Sequence, residues 1–263
     1  MRNIKEYHKQ SILPYQTKPA WNPEKPGKSI IRYGLELEIE GVTSNNRFPV
    51  LEAPSKYIPQ RYMYKRDGSL DETGAELVTS PLRLTTIQTK FPGLCDELQD
   101  LGCNSFDSGR CGLHLHVSNF DCRKLLKKTS VLNLACACYN FMADNRDYVL
   151  RFSSRAKDQL NSYASLNYGP TNTYTRYKAV NLCNNTMEFR IFRGTLLAKR
   201  LIASAEFVDA LIRINAQRLE TDSIAREEAE LWSCFTWSNL IDYADKHSKR
   251  YGYLSEYLRK AAN

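Results

Sequence analysis

The sequence contains no Cys-x-x-Cys pair, no apolar run of membrane-spanning length, no arginine-rich arm or basic tail, and no internal repeat or low-complexity segment. A helix that crosses a bilayer needs about 20 consecutive apolar residues, so no membrane partner is expected. Dedicated nucleic-acid binders gather Lys and Arg into a stripe or arm. Here the basic residues are dispersed, with short clusters only at Lys124, Lys127, Lys128 and at Lys246, Lys249, Arg250. Nucleic acid is therefore an open but unfavoured partner, although the formal net charge of +8 suits anionic ligands in general. The opening residues MRNIKEYHKQ are polar and lack the apolar core of a secretory signal. The eight cysteines (Cys95, Cys103, Cys111, Cys122, Cys136, Cys138, Cys183 and Cys234) accordingly read as reduced thiols of a cytoplasmic protein.

What is present is a chain of 263 residues, long enough for one large domain or two small ones with a sizeable core. Residues 1–29, with Pro14, Pro19, Pro23 and Pro26, read as an extended arm, and 30–263 as a single domain closing in helices. A strand is expected at about 31–41. A loop should follow over 43–60, punctuated by Pro49, Pro54 and Pro59. Residues 61–70 read as a strand turning at Asp67-Gly68 into a partner at 74–82. A helix within 83–101, a strand at 112–120 and a helix over 123–150 come next; in the last, Leu125, Leu132, Ala135, Tyr139 and Met142 form one apolar stripe. Residues 153–175 are rich in Ser, Asn, Thr and Tyr and read as a long loop of the kind that often carries function. YKAVNL and NTMEFRIF give two strands around Asn185. A helix over 196–219 has Thr195 as its cap and Leu197, Leu201, Ala205, Val208, Ile212 and Leu219 on its buried side. Two or three shorter helices end the chain, one of them capped by Ser238.

The informative pattern is the alternation in YGLELEIEGV. Leu35, Leu37 and Ile39 fall on one face of a strand and Glu36, Glu38 and Glu40 on the other. Carboxylates two residues apart on a strand lie roughly 7 Å apart, and at an effective dielectric of about 20 they repel by roughly 2 kcal/mol per pair. A solvated polar face would dissipate that repulsion; bound cations would use it. The pattern recurs. His114 and His116 oppose Leu113, Leu115 and Val117; Glu188 and Arg190 oppose Met187, Phe189 and Ile191; Glu76 opposes Ala75 and Leu77. Four strands with one apolar and one polar face predict an α+β fold, an antiparallel sheet covered by helices on one side and open to solvent or ligand on the other.

Three or four carboxylates with one or two imidazoles suit divalent cations bound mainly through oxygen, with histidine shifting the preference towards manganese. Arg190 beside such a cluster suits a bridging phosphoryl group, or else it pairs across the sheet with a Glu. Lys65, Arg66, Arg151, Arg155, Arg176 and Arg193 are further cations for phosphate or carboxylate, or plain surface charges.

GLELEIE, KRDGSLDETGAELVTSPL, CGLHLHV and NTMEFRIFRGT, in that order over Gly34 to Thr195, resemble the amidoligase family of the carboxylate–amine ligase superfamily, relatives of glutamine synthetase and glutamate–cysteine ligase. The Asp-Gly-Ser-Leu, Gly-x-Glu-Leu-Val and Ser-Pro-Leu segments are the most specific part; the C-terminal helices carry no resemblance. The resemblance implies a glutamine synthetase-like catalytic sheet that binds ATP and two or three Mg2+ or Mn2+ ions. Metal ligands would then be Glu36, Glu38, Glu76, Glu188 and His114. Nucleotide or phosphate contacts would be His116, Arg190, Asn181 and Lys65, with the two histidines interchangeable. Asp67 would lie at the substrate end and serve as the base that takes the amine proton. The reaction implied is ATP-dependent amide or isopeptide formation through an acyl phosphate, from a small-molecule or peptide carboxylate and an amine. Related ligases often assemble, which leaves a homo-oligomer open. Three rivals stand beside this reading: a zinc hydrolase or nuclease built on Cys111, His114 and His116, a non-catalytic nucleotide-binding relative, and a kinase acting on guanidinium groups.

Overall fold

The structure, a computed structural model, describes residues 22–25, 31–105, 109–183, 185–227 and 235–263. Apart from 22–25, the arm expected over 1–29 lies outside the described residues, as does Cys234. The alternating segments become β1 (Arg32–Ile39), β2 (Tyr62–Lys65), β3 (Ala75–Thr79), β5 (Gly112–Ser118), β6 (Val180–Leu182) and β7 (Thr186–Arg193), with a two-residue β4 (Leu82–Arg83) beside β1. They pair antiparallel throughout, in the order β2-β3-β1-β5-β7-β6. The Glu-rich strand β1 is therefore central, with β3 on one side and β5 on the other.

The apolar face behaves as alternation predicts: Tyr33, Leu35, Leu37 and Ile39 are fully buried in one continuous core. Two helices dominate its cover. Leu84, Ile87, Phe91, Leu94, Cys95 and Leu98 line the buried side of α2 (Leu84–Asp100). Helix α7 (Ala198–Thr221) packs against α2 and is buried nearly all round. The polar face differs from expectation. It is no open, wet surface: Glu38, Glu76, His114 and Glu188 are only 5–6 % exposed.

Several local expectations are corrected. Residues 43–60 hold a helix, α1 (Arg47–Tyr57), despite its prolines. Pro49 falls in the first turn, where its missing N–H has no intrahelical partner to lose. Pro54 frees the carbonyl of Val50, and the buried Tyr64 hydroxyl donates to that oxygen at 3.1 Å. The helix expected over 123–150 is α3 (Asn119–Arg123), α4 (Val131–Asp144) and α5 (Arg146–Ser153), and Leu125 lies between the first two rather than on a common stripe. The 153–175 segment contains α6 (Lys157–Tyr163). Thr195 accepts a hydrogen bond from the Leu197 N–H but is not the N-cap of α7, and Leu197 is exposed. The chain continues through α8 (Ser223–Glu227), α9 (Trp237–Lys246) and α10 (Leu254–Ala262); Thr236, not Ser238, caps α9 in a reciprocal capping box with Asn239.

Two buried acids in α7 tie these layers together. Glu206 accepts from the N–H groups of Gly252, Tyr253 and Leu254 at 2.8–3.0 Å and from Gln88 of α2 at 2.7 Å, so it closes the N-terminus of α10. Asp209 is fully buried. It accepts from Arg213, Arg250, the Tyr251 hydroxyl and the Tyr33 hydroxyl of β1. Burial opposes its charge, but Arg250, Arg213 and Tyr33 outweigh it and lower its pKa. Replacing Asp209 with Ala leaves two guanidinium groups without their buried partner and is expected to cost about 3–5 kcal/mol in urea unfolding. Because the folded pKa lies below the unfolded one, the stabilisation from Asp209 is complete above the unfolded value and lost as pH falls through the folded one. The gap between wild type and the Ala variant should therefore narrow in strong acid; a gap independent of pH would contradict this.

Candidate functional site

The register of the sheet brings the polar residues of six strands into adjacent rows. Lys65 on β2 faces Glu76 on β3, and Glu76 faces Glu38 on β1. Glu36 faces His114 on β5. His116 faces Glu188 on β7, which faces Asn181 on β6. A register shift in β7 opposite His114 breaks the alternation, so Ile191 and Phe192 are both buried although they are consecutive. It re-aims the end of the strand just beyond Arg190.

Distances between the side chains are short. His114 Nδ1 lies 3.3 Å from Glu36 Oε2 and 3.8 Å from Glu188 Oε1; His116 Nε2 lies 3.4 Å from Glu36 Oε1 and 3.8 Å from Glu188 Oε1. Three sets of donor atoms each fit within 4.8 Å: Glu36, His116, Glu188; Glu36, Glu76, His114; and Glu38, Asp67, Glu76. Sharing Glu36 and Glu76, they form a connected run across the sheet. All five residues expected to ligate metal are in it. His116 and Asp67 join them, the first expected at the nucleotide and the second at the substrate end.

The remaining expected residues take supporting positions. Arg190 pairs with Glu188 on its own strand at 2.5 Å, rather than across the sheet, and its Nε reaches the Tyr163 carbonyl at 3.4 Å. The Asn181 amide donates to Glu188 Oε2 at 3.0 Å and to the Arg176 carbonyl at 2.6 Å, so it orients the Glu188 carboxylate. Lys65 helps line a cleft of about 540 Å3 that opens beside Glu36 and His116 and is bordered by Gly34, Thr79, Pro81 and Thr186. Arg155, one of six undistinguished cations in the sequence, is buried beside the cluster. Glu40 is buried beyond the cluster, where its backbone bridges to Asn104.

Electrostatics divides the carboxylates into two pairs. Burial opposes the charge of Glu36, but His116 and His114 outweigh it and hold its carboxyl well below the usual range. Burial is likewise overridden at Glu188, by Arg190 and then the imidazoles, and its pKa is lowered. Glu38 goes the other way: burial, reinforced by the charge of Asp67, pushes it up to about 7 against a 2.6 Å hydrogen bond from the Gly112 N–H. Burial and then the charge of Glu36 raise Glu76 well above the usual range, against Lys65. Burial lowers His114, whereas at His116 burial is overcome by Glu36 and the pKa rises. The repulsion foreseen for the row of acids thus falls on Glu38 and Glu76; Glu36 sits comfortably between imidazoles.

The donor set fits hard divalent cations, since each group offers two or three carboxylates and at most one imidazole. His116 Nε2 is buried without a hydrogen bond although it faces the Glu36 and Glu188 oxygens, as expected of a ligand atom. Cys111 enters none of the groups among the described residues, which removes the sulfur ligand from the zinc reading.

The raised Glu38 pKa sets a pH dependence in divalent-free buffer. The folded protein holds a proton on Glu38 that the unfolded chain loses near pH 4.5, so this contribution is complete below that value and lost as pH rises to about 7. Glu38→Gln removes the titration. Relative to wild type, the variant should gain on the order of 3 kcal/mol between pH 4.5 and pH 7.5, read as a growing difference in Tm. A constant difference would mean that Glu38 is ionised throughout.

No protein-family model matches the chain, and no curated protein matches it either. Among solved structures, the chain is similar to the ligase PafA in its complex with the prokaryotic ubiquitin-like protein Pup, with a TM-score of 0.47 and 10% sequence identity. The match covers 88% of this chain and 63% of that one, so the chain spans less than two thirds of the ligase.

Proposed function

We propose that the protein is an ATP-dependent carboxylate–amine ligase that forms an amide or isopeptide bond through an acyl phosphate. The observation that carries this reading is the connected run of three candidate cation groups on one buried sheet face, bordered by Lys65, Arg155 and Arg190 and opening into a nucleotide-sized cleft. Resemblance of the four strand motifs to the amidoligases adds the reaction class. In this reading residues 30–263 form one catalytic domain acting in the cytoplasm on small-molecule or peptide substrates.

A carboxylate is a poor electrophile, and phosphorylation gives it a leaving group. Two or three Mg2+ or Mn2+ ions held by Glu36, Glu38, Glu76, Glu188 and the two histidines would neutralise the phosphate oxygens of ATP. The cleft beside Glu36 and His116, with Lys65 at its wall, would hold the nucleotide. The acid's oxygen attacks the γ-phosphorus and ADP leaves. Arg190, fixed by Glu188 and the Tyr163 carbonyl, holds the transferring group in line. The amine then attacks the acyl carbon, phosphate departs, and a carboxylate accepts the amine proton. Asp67 serves as that base, and its hydrogen bonds from the Ser69 N–H and hydroxyl at 2.7 and 2.6 Å fix its orientation.

Glu188→Ala and Glu36→Ala are each expected to lower ATP turnover by at least about 100-fold and to weaken the rise in Tm produced by Mg-ATP. Glu188→Ala also frees Arg190. The measurement is ADP release during incubation of the protein with Mg-ATP and a metabolite or peptide extract, with mass spectrometry of the products. A new amide of predictable mass supports the ligase; ADP release with a phosphorylated guanidinium and no amide assigns a kinase. Wild-type turnover in both variants would remove the cation site from the reaction.

A further inference from the structure

The segment that joins α6 to β6 carries a concentration of exposed rings that the cation run does not use. Among the described residues eight large apolar or aromatic side chains stand exposed, and four of them, Tyr163, Tyr168, Tyr174 and Tyr177, fall in this one segment. Tyr174 is 97 % exposed, and the other three are between 37 and 49 % exposed. Packing gives a chain no reason to present four rings to water in one place, and such concentrations mark recognition surfaces. The segment is folded, with its ends tied together. Ser165 bridges to Lys178, the Ser165 N–H donates to the Tyr177 carbonyl, and the Ala179 N–H donates to the Ser165 carbonyl. Inside the turn the buried Lys178 ammonium donates to the carbonyls of Pro170 and Asn172.

Cations that are dispersed in the sequence meet at this segment. Arg146, from the start of α5, donates to the side chains of Asn161 and Asn167 at 2.6 and 3.1 Å. The Arg176 guanidinium lies over the Tyr177 ring, 5.1 Å from its centroid. Tyr163 and Tyr177 stand edge to face with their centroids 6.1 Å apart. From Gln159 to Met187 the chain has no Asp or Glu, so the segment itself carries positive charge only, on a chain of formal net charge +8.

We propose that this surface binds a single-stranded nucleic acid, with bases stacked on the tyrosine rings and phosphates against Arg146 and Arg176. One ligand then accounts for both features. Every base has a flat face that an exposed ring can stack on, and guanidinium groups beside the rings meet the charge of the backbone. An acidic polypeptide would use the cations and leave the four rings without a function, and a duplex keeps the faces of its bases inside the stack. The proposal goes beyond the ligase reading and does not rest on it, since it needs neither ATP nor the cation run. The two surfaces are nevertheless adjacent. Arg190 holds both Glu188 and the Tyr163 carbonyl, and Asn181 holds both Glu188 and the Arg176 carbonyl. A bound strand would therefore lie beside the Glu188 end of the run.

The test follows the fluorescence anisotropy of a labelled oligouridylate of about 12 nucleotides bound to the full chain, in EDTA and without ATP. Wild type should bind saturably and lose affinity as salt rises. Tyr174→Ala and Tyr168→Ala should each weaken binding about fivefold or more. Arg176→Gln should weaken it too and reduce the slope of log affinity against log salt by about 0.7. Phe48→Ala removes an exposed ring from α1, which packs beside β2 at the opposite edge of the sheet, and should bind as wild type. Where the tyrosine variants do not fold, 4-thiouridine crosslinks to wild type are mapped by mass spectrometry and should fall within 163–177. Absence of binding in wild type, unchanged affinity in both tyrosine variants, an equal loss in Phe48→Ala, or crosslinks confined to other segments overturns the proposal. Poly-glutamate that displaces the oligonucleotide at equal charge also overturns it and assigns an acidic polypeptide. A duplex of the same length that binds as tightly removes the stacking and overturns it as well. Failure of Mg-ATP to raise Tm while the tyrosine-dependent binding persists fails the ligase reading and spares this surface.

Discussion

Mutual repulsion among carboxylates on a buried sheet face is the constraint around which this site is organised. Glu36, Glu38, Glu76 and Glu188 lie within a few ångströms of one another in pairs, and three of the four are almost completely removed from water. Charge cannot accumulate there unaided. The protein answers in three ways: imidazoles against Glu36, a guanidinium against Glu188, and a raised proton affinity at Glu38 and Glu76. The last is a reversible answer. A cation that displaces those protons gains the full attraction of the carboxylates, so the same crowding that costs stability in divalent-free buffer favours cation binding.

Placement of these groups on strands rather than loops determines how well they can hold such an arrangement. Each of these strand residues is held by hydrogen-bonded neighbours on both sides in the sheet, and supporting contacts refine its position. Asn181 steers Glu188, Gly112 donates to Glu38, and the Ser105 hydroxyl donates to the Glu38 carbonyl at 2.5 Å. Behind the sheet, Asp209 links the Tyr33 hydroxyl on the apolar face of β1 to α7 and to the C-terminal region through Arg250 and Tyr251. The most acidic strand is thereby tied from behind to the most buried helix. The C-terminal helices, which showed no motif, support the site through this contact.

The strands were legible because alternation has a simple physical cause: a sheet with one buried apolar face imposes a period of two on the chain. Glu36, Glu38, Glu76, His114, His116 and Glu188 all emerged from that period. Other features were hidden because they arise from long-range partners. Nothing local in FPVLEAPSKY indicates that Tyr64 will satisfy the carbonyl freed by Pro54. The bulge that buries Ile191 and Phe192 together depends on pairing with β5. Asp67 looked like a turn residue and became a neighbour of Glu38 and Glu76 only because the β2–β3 hairpin folds beside β1.

Sequence alone determined which residues share the polar face of each strand, because side-chain direction within a strand follows from backbone geometry. It also determined the chemistry of that face, acidic with two imidazoles and a guanidinium. Tertiary structure decided the order of the strands, and hence which acids became neighbours, since antiparallel register between distant segments is set by packing and turn geometry. It decided too that the polar face is buried rather than wet, because burial depends on what the rest of the chain lays over a strand and not on the strand itself. That burial raises the pKa of Glu38 and Glu76 where no imidazole or guanidinium outweighs it, as they do at Glu36 and Glu188, and it leaves Arg155 buried with no carboxylate of the described residues within 4.0 Å.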